Sequence, residues 1–146
     1  MDYRRSAWRR ISSPALDGLQ YSAILAKTAT DVYAIATVGG SPPQRLVHFN
    51  GQRWTSVAVP SSAQLGGMAA DGMRGEWFTA TQSSSKAPVA EHRSSTGTWS
   101  SHVLPGGTGQ AFGIALIPGT TSLWASGTIQ TSGGSDAVIW GHGPAA

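Results

Sequence analysis

The sequence predicts an all-β protein, and three observations carry that prediction. The 146 residues include 19 glycines and 8 prolines, and the apolar residues between them fall in short runs. Short β-prone runs separated by turn formers are the pattern of strands. No window sustains apolar periodicity at 3.6 residues, and charged residues, Lys and Glu among them, reach only 12% in total; long helices are therefore not expected. Finally, Trp8, Trp54 and Trp99 stand 46 and 45 residues apart, and each precedes a proline by six residues: Pro14, Pro60 and Pro105.

Two further anchors keep that register. Gln20, Gln64 and Gln110 each stand four residues before a large apolar side chain, at Ile24, Met68 and Ile114. Val32-Tyr33-Ala34, Glu76-Trp77-Phe78 and Leu123-Trp124-Ala125 each place an aromatic in mid-strand. An internal period of this length is the mark of a repeat architecture.

Each repeat divides into four short strands. The first unit gives Tyr21–Ala26, Val32–Thr37, Arg45–Phe49 and Arg53–Val59, the last two joined through Asn50-Gly51, whose residues both tolerate positive φ. The second gives Met68–Ala70, Trp77–Thr81, Val89–Arg93 and Thr98–Leu104. The third gives Phe112–Ile117, Leu123–Thr128 and Ala137–Gly141, and Gly143 then aligns with Gly51, so a fourth strand is missing there. A matching strand stands at the other end, Ser6–Ser12 around Trp8.

Four strands per unit of about 45 residues match a β-propeller blade. The whole of 1–146 is one three-blade unit, with repeats at approximately 15–60, 61–105 and 106–146. Propellers usually hold four to eight blades, so three blades do not close alone. The expected solution is a homodimer closing a six-bladed ring, in which the strand at 6–12 completes the last blade of a partner chain. A nine-bladed trimer ranks second. A fragment of a larger propeller protein or enzyme is the third reading, since the sequence starts inside a repeat.

The remaining composition narrows the function. There are no cysteines, which excludes disulfides, zinc–thiolate sites and thiol nucleophiles. No apolar run reaches the roughly 18 residues of a membrane span, and the basic start MDYRRSAWRR leads into no signal core. Localisation is left open, with the cytoplasm as default. Arg4, Arg5, Arg9 and Arg10 hold much of the net charge of +3. They read as a solvated outer strand, and nucleic acid is not an expected partner.

Asp31-Val32-Tyr33-Ala34-Ile35-Ala36, followed by Leu46-Val47-His48-Phe49-Asn50-Gly51-Gln52-Arg53-Trp54 and continuing to Pro60, resembles actinobacterial-type propeller repeats. Their blades read D-V-W-A-V-G, then L-x-H-x-x-G-x-x-W-x-x-V-x-x-P. The second and third units match more loosely, at Glu76-Trp77-Phe78-Thr79 and Leu123-Trp124-Ala125-Ser126-Gly127. The resemblance implies the fold and no particular activity. A more distant likeness, through the hairpin Phe49–Trp54, is to small fucose-binding lectins that build six-bladed rings from two-blade chains. Those lectins hold sugar with an Arg, a Glu and a Trp between blades. Here Glu91 occurs in one unit and no arginine recurs at a fixed strand position.

No catalytic or metal-ligating set emerges. The four histidines, His48, His92, His102 and His142, lack i,i+2 or i,i+4 pairing, and HExxH is absent. The acids read mostly as turn residues, and no G-x-S-x-G elbow occurs. No cofactor is implied. The expected function is a non-catalytic, self-assembling binding module offering its channel face to a small polar ligand, a glycan or a protein; a carbohydrate-binding lectin with inter-blade sites is the alternative. Candidate ligand-binding residues are Gln20, Gln64 and Gln110, placed just before the innermost strands as a ring of amides. Trp140, aligned with His48 and without an aromatic counterpart, joins them, as does Asp17, which a dimer could bring opposite its copy. Trp54 and Trp99 read as packing between blades.

Overall fold

The computed structural model describes residues 7–39 and 41–144. It is all-β and builds three antiparallel sheets in chain order. Sheet 1 holds β1 (Leu19–Thr28), β2 (Asp31–Val38), β3 (Ser41–Phe49) and β4 (Trp54–Val57). Sheet 2 holds β5 (Ala63–Ala70), β6 (Glu76–Gln82), β7 (Pro88–Arg93) and β8 (Trp99–Val103). Sheet 3 holds β9 (Gly109–Leu116), β10 (Leu123–Thr131) and β11 (Gly134–His142). All eleven strands stand where the sequence places them, most a few residues longer. Each sheet is a meander, so every neighbour in sequence is a neighbour in space.

The register repeats from sheet to sheet. Gln20 pairs with Thr37, Gln64 with Thr81 and Gln110 with Thr128. Just beyond each glutamine the first strand carries a bulge, between Tyr21 and Ala23, Leu65 and Met68, and Ala111 and Gly113. A bulge adds local twist, and its recurrence turns each first strand toward its neighbour. β1 packs on β5, and β5 and β6 pack on β9.

The same face relation holds at both junctions. Tyr33, Ile35 and Leu46 of sheet 1 meet Leu65, Phe78, Ala80 and Val89 of sheet 2. The other side of sheet 2, with Ala69, Trp77 and Ala90, meets Leu123 of sheet 3, and Ala111, Ala125 and Trp140 extend that core. Trp99 lies half-buried against Phe78, ring centres 5.1 Å apart, as the repeat position implies. Trp54 leans on Phe49 at 5.3 Å. Polar clamps reinforce the junctions. Gln44 of β3 grips the backbone of β5, donating from Nε2 to Leu65 O at 2.8 Å and accepting Leu65 N–H on Oε1 at 2.6 Å. Thr79 accepts Gly67 N–H and donates to Phe112 O, both at 2.8 Å. At Gly67 the strands approach so closely that a Cβ would stand 2.6 Å from Phe112 O.

Three details differ from the sequence reading. The β3–β4 turn is four residues wide, Asn50–Arg53, with positive φ at Gly51 and not at Asn50. The Asn50 side chain caps the turn instead, its Oδ1 accepting Gln52 and Arg53 N–H at 3.1 and 3.0 Å. In sheet 3 the pairing shifts the expected alignment by one residue: Trp140 faces Ala125 and so matches Val47 and Glu91, not His48. Within one chain residues 7–13 pair with no strand and Trp8 is fully exposed, while β11 keeps one edge unpaired among the described residues. Of the expected 6–12 strand, Ser6 lies outside the described residues, as do Arg4 and Arg5.

Candidate functional site

The glutamines occupy one rim of the molecule. Gln20, Gln64 and Gln110 are each the second residue of the first strand, inside it rather than before it. All three are exposed. Each stands across the pair from a threonine, Thr37, Thr81 or Thr128. Among the described residues these amides make no hydrogen bond, so their donors and acceptors face solvent.

The opposite rim carries a site the sequence reading missed. Between sheets 1 and 2 opens a cleft of about 980 Å³, floored by Glu76 and walled by Lys27, Asp31, Tyr33, His48 and Arg93. Glu76 begins β6 with only 1% exposure. Its carboxylate accepts Lys27 Nζ at 2.7 Å and Arg93 Nη1 at 3.1 Å. Lys27 also donates to Arg74 O at 2.6 Å and lies 3.6 Å from Asp31. Burial works against the Lys27 charge, but the hydrogen bond and charge of Glu76 outweigh it and hold its pKa above the ordinary lysine value.

An aromatic stack lines the cleft. His48 lies flat on Tyr33, ring centres 4.2 Å apart, and donates Nε2–H to Asp31 Oδ1 at 2.8 Å. Lys27 and Arg93 stand over the Tyr33 ring at 5.6 and 5.9 Å, within cation–π range. Burial, then the negative charge of Glu76, push the Tyr33 phenol upward, so it stays protonated and able to donate. The Arg93 Nε–H is buried without a partner among the described residues. Beside the cleft, Asp71 closes the β5–β6 turn by accepting Met73 and Gly75 N–H at 2.7 and 3.0 Å and His92 Nε2–H at 3.0 Å. Burial alone would raise Asp71; those hydrogen bonds and His92 win and hold its carboxyl below the usual range.

The junction between sheets 2 and 3 is different in kind. At the positions of Glu76 and Arg93 it has Leu123 and His142. A largely apolar cavity of about 450 Å³ lies there, lined by Trp77, His102, Leu104, Pro105, Trp140 and His142 among others. Trp77 is ringed by His92, His102 and His142 at 4.5, 5.3 and 5.3 Å. Trp140 is buried, and its indole N–H donates to Pro105 O at 2.8 Å. Its ring thus belongs to the core that lines the cavity.

Asp17 precedes Gln20 by three residues. It follows the short 3-10 turn Pro14–Leu16, exposed, with its N–H directed at Pro14 O. Near it, Tyr21 donates to Leu16 O at 3.0 Å, and burial, then the Asp17 charge, raise the Tyr21 pKa. The structure therefore groups the three glutamines by register, while Trp140 turns its ring into the core between sheets 2 and 3 and Asp17 stays on the exposed segment ahead of β1. Glu76 and Glu91 are not turn residues but buried strand residues. A carboxylate inside an apolar strand pattern, as in Glu76-Trp77-Phe78, was the available signal. Among the described residues no three His, Asp or Glu side chains stand together as a metal site.

Chemically, the cleft offers both signs of charge and an aromatic plane; it suits hydrogen bonding to a polar guest. Comparison with protein-family models, with curated proteins and with solved structures gave no match.

Proposed function

We propose that the chain is half of a β-propeller, a non-catalytic binding module that closes into a six-bladed ring with a second copy. One observation carries this reading: the two end sheets each expose large apolar side chains on the side turned from sheet 2, although Ala34, Ala36 and Val47 on that side of sheet 1 are already buried within the chain. On sheet 1, Ile24 (71% exposed), Tyr21 and Val38 lie on the side turned from sheet 2. On sheet 3, Ile139 (69%) and Trp124 (54%) share the side turned from sheet 2. Inside the chain, each sheet lays the second kind of face on the first kind of its successor. The open face of sheet 3 therefore suits the open face of sheet 1 in another copy. Such a head-to-tail contact closes when rotation permits, and six is the only multiple of three within the usual four to eight blades.

In that ring the Gln20, Gln64 and Gln110 positions form a rim of six amides with six threonines, and each chain adds one polar cleft. Both suit a neutral polar guest with several hydroxyl or amide groups. Light scattering tests the assembly. A mass twice the 15.1 kDa of the chain agrees with it, and a folded species of single-chain mass refutes it.

A second reading, carbohydrate recognition, is favoured by one observation. Arg93, Glu76 and Tyr33 meet in the inter-sheet cleft, an arginine, a carboxylate and an aromatic together. Because Leu123 and His142 replace the ionic pair at the next junction, this gives one site per chain. A glycan array decides: retention lost on Arg93→Ala supports it, and no retained glycan removes it.

A further inference from the structure

The cavity between sheets 2 and 3 has a counterpart between sheets 1 and 2, a hollow of about 490 Å³ in which Trp99 packs, half-buried, against Phe78. Trp99 of β8 stands at the junction with sheet 1, beside Val57, Val59, Pro60 and Arg93. The residues one repeat later, His102, Leu104, Pro105 and His142, line the 450 Å³ cavity, and no fourth-strand tryptophan fills it among the described residues. What differs is the strand count, since sheet 3 has three strands where its neighbours have four.

We propose that this cavity is the socket for Trp8 of a second copy, whose residues 8–12 add to β11 as the fourth strand of sheet 3. The proposal rests on the ring reading above and specifies how its seam is made. The register follows from the two complete sheets. Trp54 pairs with Phe49 and Trp99 with Arg93; Phe49 and Arg93 correspond to His142, since they pair with Val32, Glu76 and Leu123 in turn. The same offset sets Trp8 opposite His142, Arg10 opposite Trp140 and Ser12 opposite Val138. Trp8 then points to the sheet 2 side, as Trp99 points to sheet 1, and its ring enters beside Leu104 and Trp140. The alternate residues Arg9 and Ile11 turn to the other face, where Ile11 joins exposed Ile139 and Trp124. Strand addition also satisfies the open backbone edge of β11, nine residues long.

The strand comes from the other copy for a reason of reach. The 3-10 turn Pro14–Leu16 lies against β4, and Ile11 and Leu16 flank Tyr21, Ile24 and Trp54 on the open face of sheet 1. Six residues separate Pro14 from Trp8, about 20 Å when extended. The chain's own sheet 3 lies beyond two further sheet layers, each about 10 Å thick, and on the wrong side. A partner's sheet 3, seated on the open face of sheet 1, lies directly alongside.

Two variants test this; Trp8 and Ser12 are exposed in the single chain, and Val138 is half-buried on the edge strand β11, where cysteine is a small change. Trp8→Ala is expected to raise the dimer dissociation constant at least about 30-fold, the effect of losing a buried aromatic anchor. Ser12→Cys with Val138→Cys, in a chain without native cysteine, is expected to give a disulfide-linked dimer on oxidation. The equivalent pair in complete sheet 2, Val103 with Val89, stands directly cross-strand. A wild-type dimer whose affinity is unchanged by Trp8→Ala overturns the socket and leaves the ring standing. A cross-link formed within one chain overturns the exchange. A wild-type protein of single-chain mass overturns the ring and the socket together.

Discussion

Replacing Glu76 by alanine strips the buried carboxylate shared by two mostly buried cations. Lys27 is 15% exposed and Arg93 19%, so neither recovers its hydration by a small movement. Breaking a buried pair by removing one partner costs about 3–5 kcal/mol, because the charge left behind is unpaired. Here the low end applies to Lys27, which keeps Arg74 O and has Asp31 at 3.6 Å. Arg93 keeps less, since its Nε–H already lacks a partner among the described residues. A loss of about 3 kcal/mol is therefore expected, a large part of the roughly 5–15 kcal/mol of a typical domain. Urea unfolding followed by tryptophan fluorescence reads it, at one fixed protein concentration because the proposed assembly would contribute to stability. Glu76→Leu combined with Lys27→Met and Arg93→Met, which makes this junction apolar like the Leu123 junction, is expected to recover most of the loss. A loss below about 1 kcal/mol for Glu76→Ala, the level of exposed pairs, refutes the account of the cleft as a buried ionic lock.

Other perturbations read other parts of the structure. Gln44→Ala removes both clamps on Leu65 and is expected to cost about 1–3 kcal/mol, measured by the same unfolding curves. Gly67→Ala forces a methyl to within 2.6 Å of Phe112 O, a contact between backbones that no side chain can relieve; a lowered melting temperature of several degrees is expected, and an unchanged one contradicts the close approach of β5 and β9. Asp71 has a depressed folded-state pKa, so its stabilising effect is complete above the ordinary carboxylate pKa and is lost as pH falls through the lower folded value. Asp71→Asn is accordingly expected to flatten the acid limb of a stability–pH profile while lowering stability at neutral pH. Lys27 has the opposite sign: its raised pKa gives stability that is complete below the ordinary lysine value and is lost only as pH rises through the folded one, which Lys27→Met removes.

The strands are legible in the sequence because each is short, bounded by glycine, proline or asparagine, and repeated in step. Trp54 and Trp99 locate their strands with no knowledge of pairing. An alignment of sheet 3 anchored on Gly143 is off by one residue, and only the match of Leu123 with His142 fixes it. The glutamine rim is legible too, since a repeat position maps onto the same register in every sheet. The ionic cleft is not. Lys27 and Glu76 lie 49 residues apart and Glu76 and Arg93 lie 17 apart, and nothing in their local sequence joins them. They converge through two separate facts of folding, the β6–β7 register and the packing of sheet 1 on sheet 2. Trp140 looks free in the sequence because it aligns with His48 and has no aromatic counterpart in the other repeats; the carbonyl that satisfies it belongs to Pro105, 35 residues earlier.

A crystal structure of the assembled protein tests the central claim most directly, by counting sheets around the axis and strands in each. Six sheets about a twofold axis, all four-stranded, with Trp8 of each copy between sheets 2 and 3 of the other, is the expected result. A closed ring of any other number, or a sheet 3 that stays three-stranded in the assembly, contradicts it.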